Sequence, residues 1–81
     1  MVLRSQLSRA LGHELRRARE RAGMTQEKVA AVSKMDRSYI SEIERGTVSP
    51  SVDRLSQLCA ALELQASVVL ARAERASRRT S

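Results

Sequence analysis

Thr25 to Gly46, TQEKVAAVSKMDRSYISEIERG, is the stretch whose reading decides the fold. Thr25 is a helix-capping residue type, and after it Val29, Ala30 and Val32 recur at helical spacing as an inward side. Ser33 to Met35 supply a turn. Asp36 then caps a second short helix, whose apolar side is Ile40 and Ile43 and which Gly46 stops. The rest of that helix is polar and rich in hydroxyls. Two short helices joined in this way prop one against the other, so that the second can project into the major groove of DNA.

Working outward, Leu7, Leu11, Leu15, Ala18 and Ala22 form the stripe of an amphipathic first helix, closed by Gly23. Beyond Gly46, Thr47 to Pro50 is a short polar linker, and Ser51 caps a fourth helix carrying Val52, Leu55, Leu58, Cys59 and Leu62. A fifth helix is expected from about Ala66 to Ala76, followed by a frayed basic tail, SRRTS, over residues 77–81. Only the run Ala66–Leu70 is ambiguous between helix and strand. The expected fold class is all-α, with about five short helices in a single domain over 1–81 and a core from about 7 to 71.

Eighty-one residues lie near the size at which one core is only marginally sufficient, so a partner chain is a natural source of further stability. Hydrophobic residues make up 42% of the chain, enough to fold. Fifteen Lys and Arg against nine Asp and Glu give a net charge of +6, a balance that attracts polyanions without distinguishing nucleic acid from membrane. Arg far outnumbers Lys, which favours phosphate and guanine contacts. Cys59 is the only cysteine, so no internal disulfide forms, as suits a reducing cytoplasm. The amino terminus lacks a signal-peptide core, and no run approaches the roughly 18 apolar residues of a membrane span. A soluble cytoplasmic protein is expected, without membrane attachment.

Enzymatic chemistry finds no footing in these residues. His13 is the only histidine, which leaves no metal-ligand pair. Cys59 sits on an apolar stripe and reads as core, and no nucleophile–base pair can be argued. The glycines at 12, 23 and 46 are too far apart for a phosphate-binding loop. No enzyme, metal or cofactor is expected.

The segments LGHELRRARERAGMTQEKVA (11–30), DRSYISEIERG (36–46) and SPSVDRLSQLCAALEL (49–64) together carry a family pattern. They resemble the lambda-repressor and Cro-like helix-turn-helix family, often called XRE-like, over roughly residues 11 to 70. The short length and the DRSYIS segment also look like the small controller proteins of restriction–modification systems. The resemblance implies a sequence-specific DNA-binding transcriptional regulator with double-stranded DNA as its partner. A recognition helix enters the groove by its first turn. Arg37 is therefore the foremost base reader, its fork matching guanine O6 and N7. Ser38 and Ser41 are short enough to approach base edges, and Glu42 either accepts from a cytosine amino group or orients Arg37.

For the DNA backbone, the resemblance puts a glutamine at Gln26, where helix amino-terminal N–H groups also favour phosphate. Tyr39, Arg45 and Thr47 are further candidate phosphate contacts, with Tyr39 open to a packing role instead. The family commonly pairs an arginine at the position of Arg19 with a glutamate at that of Glu44, which implies a structural ion pair. Three positions depart from the family pattern. Lys34 stands where glycine or asparagine is usual in the turn, Lys28 where a glutamate would complete a capping box, and Glu63 where a glycine often ends the fourth helix.

Leu64, Val68, Val69 and Leu70 supply more apolar surface than a last short helix needs, so they are the expected homodimer interface. Such a dimer presents two recognition helices about 34 Å apart to an inverted-repeat operator. Arg72, Arg75, Arg78 and Arg79 add either non-specific DNA attraction or solubility. The competing reading is an antitoxin-type interaction module, whose apolar face around the fifth helix receives a partner protein. RNA binding is disfavoured, because one aromatic residue offers little for stacking.

Overall fold

The computed structural model describes residues 2–80, with side chains described from Gln6 to Arg79, and follows the order α1 (Val2–Arg21), α2 (Gln26–Ser33), α3 (Arg37–Arg45), α4 (Val52–Ala61) and α5 (Ala66–Thr80). The fold is all-α, with five helices and no strand among the described residues. Residues 66–70, ambiguous in the sequence, are helical.

Local chemistry sets the boundaries. Thr25 Oγ1 accepts from the backbone N–H of Lys28 at 3.1 Å, and Ser51 Oγ accepts from that of Arg54 at 3.1 Å, which satisfies a first-turn donor in each of α2 and α4. Asp36 stands at the N-cap of α3 with extended backbone, but its carboxylate makes no capping bond. Gly46 ends α3 in the left-handed region at φ 78°. Lys34 ends α2 the same way at φ 60° without being a glycine. There its N–H donates to the Ala30 carbonyl, and Met35 N–H donates to the same oxygen at 2.9 Å while its side chain is buried. Glu63, the other position where the family favours glycine, is also left-handed, at φ 57°.

One core joins all five helices. Leu11, Leu15 and Ala18 of α1 meet Val29 and Ala30 of α2, Ile40 and Ile43 of α3, Leu55, Leu58 and Cys59 of α4, and Val69 and Ala73 of α5. Three residues of the sequence stripes lie outside it. Val32 is 50% exposed in the last turn of α2, and Val52, the first residue of α4, is 81% exposed. Ala22 is exposed just past the end of α1. Each stands at a helix end, where the stripe runs past its packing partner.

Two contacts made by α1 fix the frame. Gly12 of α1 lies against the last turn of α3, where a Cβ would overlap the Ile43 carbonyl oxygen and stand 2.6 Å from that of Glu44. Only a glycine lets the two backbones approach so closely. The other contact is lengthwise packing of α5 on α1, which carries α5 beyond the expected Ala76 to Thr80. Ser77 to Arg79 are thus helical and not frayed, with Arg78 and Arg79 in a last turn where positive charge complements the helix dipole. Ser81 lies outside the described residues.

Candidate nucleic-acid interface

The apolar face of α3 is sealed by Ile40 and Ile43, each 1% exposed, which leaves its polar side on the surface. Arg37 and Ser38 are exposed on its first turn, and Ser41 and Glu42 follow half-buried on the second. The four candidate base readers therefore share one helix, with the longest side chain at the leading end.

Arg37 is held before any ligand arrives. Its Nη1 donates to Gln26 Oε1 at 2.8 Å, and its Nε lies 3.7 Å from Glu27 Oε2 in an exposed ion pair. Gln26 in turn donates from Nε2 to Glu44 Oε1 at 2.9 Å. The amide orientation follows from its neighbours, since a guanidinium only donates and a carboxylate only accepts. Glu44 Oε2 accepts from Arg19 Nε at 2.7 Å, and Glu44 Oε1 from Arg19 Nη2 at 3.1 Å. Arg19 Nη1 donates to the Met24 carbonyl at 2.8 Å, which secures the turn between α1 and α2.

A continuous relay thus runs from α1, through the end of α3 and the start of α2, to the tip of α3. Its inner members are mostly shielded, with side-chain exposures of 13% for Arg19 and 6% for Glu44. The hydrogen bond to Glu44 holds the Arg19 guanidinium above its ordinary pKa against the lowering effect of burial, so the charge is permanent. Gln26, anticipated on phosphate, spends its amide oxygen and one amide hydrogen inside the protein. Gln26 and Glu27 orient Arg37, a part the sequence offered to Glu42, whose carboxylate enters no ion pair among the described residues.

The other candidates lie on either side of α3. Arg45 Nη1 donates to Ser41 Oγ, so the exposed arginine and the half-buried serine are tied to one another. Thr47 Oγ1 donates to the Glu42 carbonyl at 3.1 Å, closing the last turn of α3. Tyr39 is half-buried, and the Arg54 guanidinium lies 5.5 Å from its ring centroid. Asp36, Ser38, Tyr39, Glu42, Ser51 and Arg54 line an open groove between α3 and the start of α4. Arg54 is not among the residues the sequence singles out, although a cation in the first turn of a helix capped just after the linker is a usable signal.

On α5 the expected partner surface shrinks. Val69 is 1% exposed and belongs to the monomer's own core, because it faces the other helices. Val68 is 37% exposed, while Leu64 and Leu70 are half-buried against the core. Two residues on a helix are separated by about 200°, which sets Val68 on the flank of α5 opposite Leu70. Among the described residues no cluster of His, Cys, Asp or Glu could hold a metal, and no helix is long and apolar enough to cross a membrane.

A five-helix fold with a capped α2, a tight turn and an α3 presenting its polar face defines a helix-turn-helix protein. The chain belongs to the lambda-repressor and Cro-like branch of that class, and residues 10–73 match the family model described as a helix-turn-helix domain. It is similar to the transcriptional regulator ClgR of Mycobacterium tuberculosis, at 43% identity over 86% of this chain and 69% of the relative. It is also similar to the control protein C.BamHI of Bacillus amyloliquefaciens, at 40% identity over 67% of this chain and 68% of the relative. Among solved structures, the clp gene regulator ClgR from Corynebacterium glutamicum superposes with a TM-score of 0.86 at 34% identity, covering 91% of this chain and 79% of that one. The restriction–modification controller protein C.Esp1396I, solved as a tetramer with its natural 35 base-pair operator, superposes with a TM-score of 0.78 at 30% identity, covering 88% of this chain and 93% of that one.

Proposed function

We propose that this chain is a sequence-specific DNA-binding transcriptional regulator acting in the cytoplasm, with α3 in the major groove. The observation that carries the reading is the anchored Arg37, exposed at the tip of α3 and aimed by Gln26. A pre-oriented fork loses less freedom on meeting a guanine than a free surface arginine does. Ser38, Ser41 and Glu42 read the neighbouring base edges. Gln26, with a remaining amide hydrogen, joins Tyr39 and Arg45 on phosphates, and Arg54 extends that row, whereas the hydroxyl and N–H of Thr47 are both spent on the Glu42 carbonyl. The operator complex of a related controller protein supports duplex DNA as the ligand class.

The chain acts as a homodimer on an inverted repeat, through the flank of α5 and the turn before it that carry Leu70 and Leu64. An antitoxin-type role would use the same flank of α5, and the operator complex of the related controller protein favours DNA regulation over it.

Selection from random duplex DNA at about 0.15 M salt tests the reading. The expected product is an inverted repeat containing a guanine whose enrichment disappears with Arg37→Ala. Binding without any enriched motif overturns it.

A further inference from the structure

A second basic feature lies away from α3. Arg17 and Arg21 of α1 and Arg72, Arg75 and Arg79 of α5 line one groove of about 180 Å³, with Glu14 as the only carboxylate in its wall. None of the five arginines makes an ion pair or side-chain hydrogen bond among the described residues. The groove gathers a third of the fifteen Lys and Arg of the chain, and every one of its cations is an arginine.

Packing alone does not explain the arrangement. Like charges three or four residues apart weaken a helix, and here such pairs occur on both walls. The helix dipole accounts for Arg21 and Arg79, each in the last turn of its helix, but not for Arg17, Arg72 or Arg75. An anion seated between the walls would relieve the repulsion.

DNA held by α3 does not reach this groove. At 3.6 residues per turn, Glu14, Arg17 and Arg21 lie about 140–200° around α1 from Gly12, the position that touches α3. The body of α1 therefore separates the groove from the recognition helix. The groove also lies on the flank of α5 opposite Leu70, clear of the proposed partner face.

We infer that this groove binds a small ligand bearing several adjacent phosphates. The guanidinium fork pairs with phosphate oxygens two at a time, and two facing rows of forks suit a short phosphate chain better than a single ion. The walls hold no aromatic or aliphatic residue to grip a base, so recognition is of the phosphates themselves.

Calorimetric titration of the full chain with inorganic tripolyphosphate, against orthophosphate at matched ionic strength, tests this. Saturable binding of tripolyphosphate at least roughly tenfold tighter than orthophosphate is expected, together with a raised melting temperature. The double variant Arg17→Gln/Arg75→Gln changes two exposed residues; it should lose that preference while retaining its helical circular dichroism and its duplex affinity. Arg37→Ala should do the reverse. Equal affinity for the two phosphates in the wild type overturns the inference. So does duplex affinity that falls in step with tripolyphosphate affinity in the double variant, which would make the groove part of the DNA-binding surface.

Discussion

Arg19 binds two oxygens of one carboxylate and the carbonyl of Met24, three acceptors held by one side chain in a nearly dry setting. Arg19→Ala strands the Glu44 charge and should cost about 3–5 kcal/mol in urea unfolding, far more than loss of an exposed pair. Glu44→Ala is the mirror case, and the double variant should cost clearly less than the sum of the two. The presence of both partners was legible from the family pattern, but Gln26 as the link onward to Arg37 was not. Nothing in a linear sequence says that an amide opening one helix will lie between a carboxylate ending another and a guanidinium at its tip. Cys59 gives a second test at this scale. Burial raises its thiol above the ordinary value, so the folded chain keeps the proton when the unfolded chain gives it up. The associated stability is full below the unfolded thiol pKa of about 8.5 and declines as pH rises above it. Denaturation midpoints between pH 7 and 10 should therefore fall less in Cys59→Ala than in the wild type. In the native protein, a thiol reagent should label Cys59 only as fast as the chain opens.

At the scale of the helices, caps and stops were the most readable signals, because Thr25, Ser51 and Gly46 act through bonds only a few residues away. The limits of the apolar stripes were less readable. Val32 and Val52 keep helical spacing yet face solvent, since periodicity reports a face and not where the neighbouring helix ends. The tail of α5 departs from the sequence expectation for a related reason. Its basic composition suggests fraying, but the length of α1 beside it supports continued helix to Thr80. The turn between α2 and α3 provides a third prediction. Lys34 holds a left-handed conformation that disfavours a side chain, so Lys34→Gly should raise stability by about 0.5–1 kcal/mol. A higher denaturant midpoint with unchanged slope is the expected result. Gly12 does not stand out in the sequence as a packing residue, because the meaning of a mid-helix glycine depends on what lies opposite. Gly12→Ala should cost about 1–3 kcal/mol or more, read in the same experiment, because backbone atoms of α3 must give way.

For the molecule as a whole, five arginines gather in the α1–α5 groove, while Arg37, Arg45 and Arg54 stand with carboxylates around α3. The all-α architecture was accessible from periodicity and capping residues, whereas this division requires the helices to be packed. Assembly is the property to measure at this scale. Leu70→Glu, on the proposed partner flank, should shift sedimentation from dimer to monomer at micromolar concentration. It should also weaken binding to an inverted repeat far more than to a single half-site. A monomeric wild type would rule out that flank as an interface.

The close approach at Gly12 has a consequence for how such a protein changes its target over generations. With the α1 backbone resting on the carbonyls that end α3, the end of that helix is seated directly against α1. A new operator would then be acquired by exchanging side chains on a frame that stays in place. On the proposed function, the frame and the script it carries can diverge at separate rates, and substitutions among Arg37, Ser38, Ser41 and Glu42 would readdress the molecule.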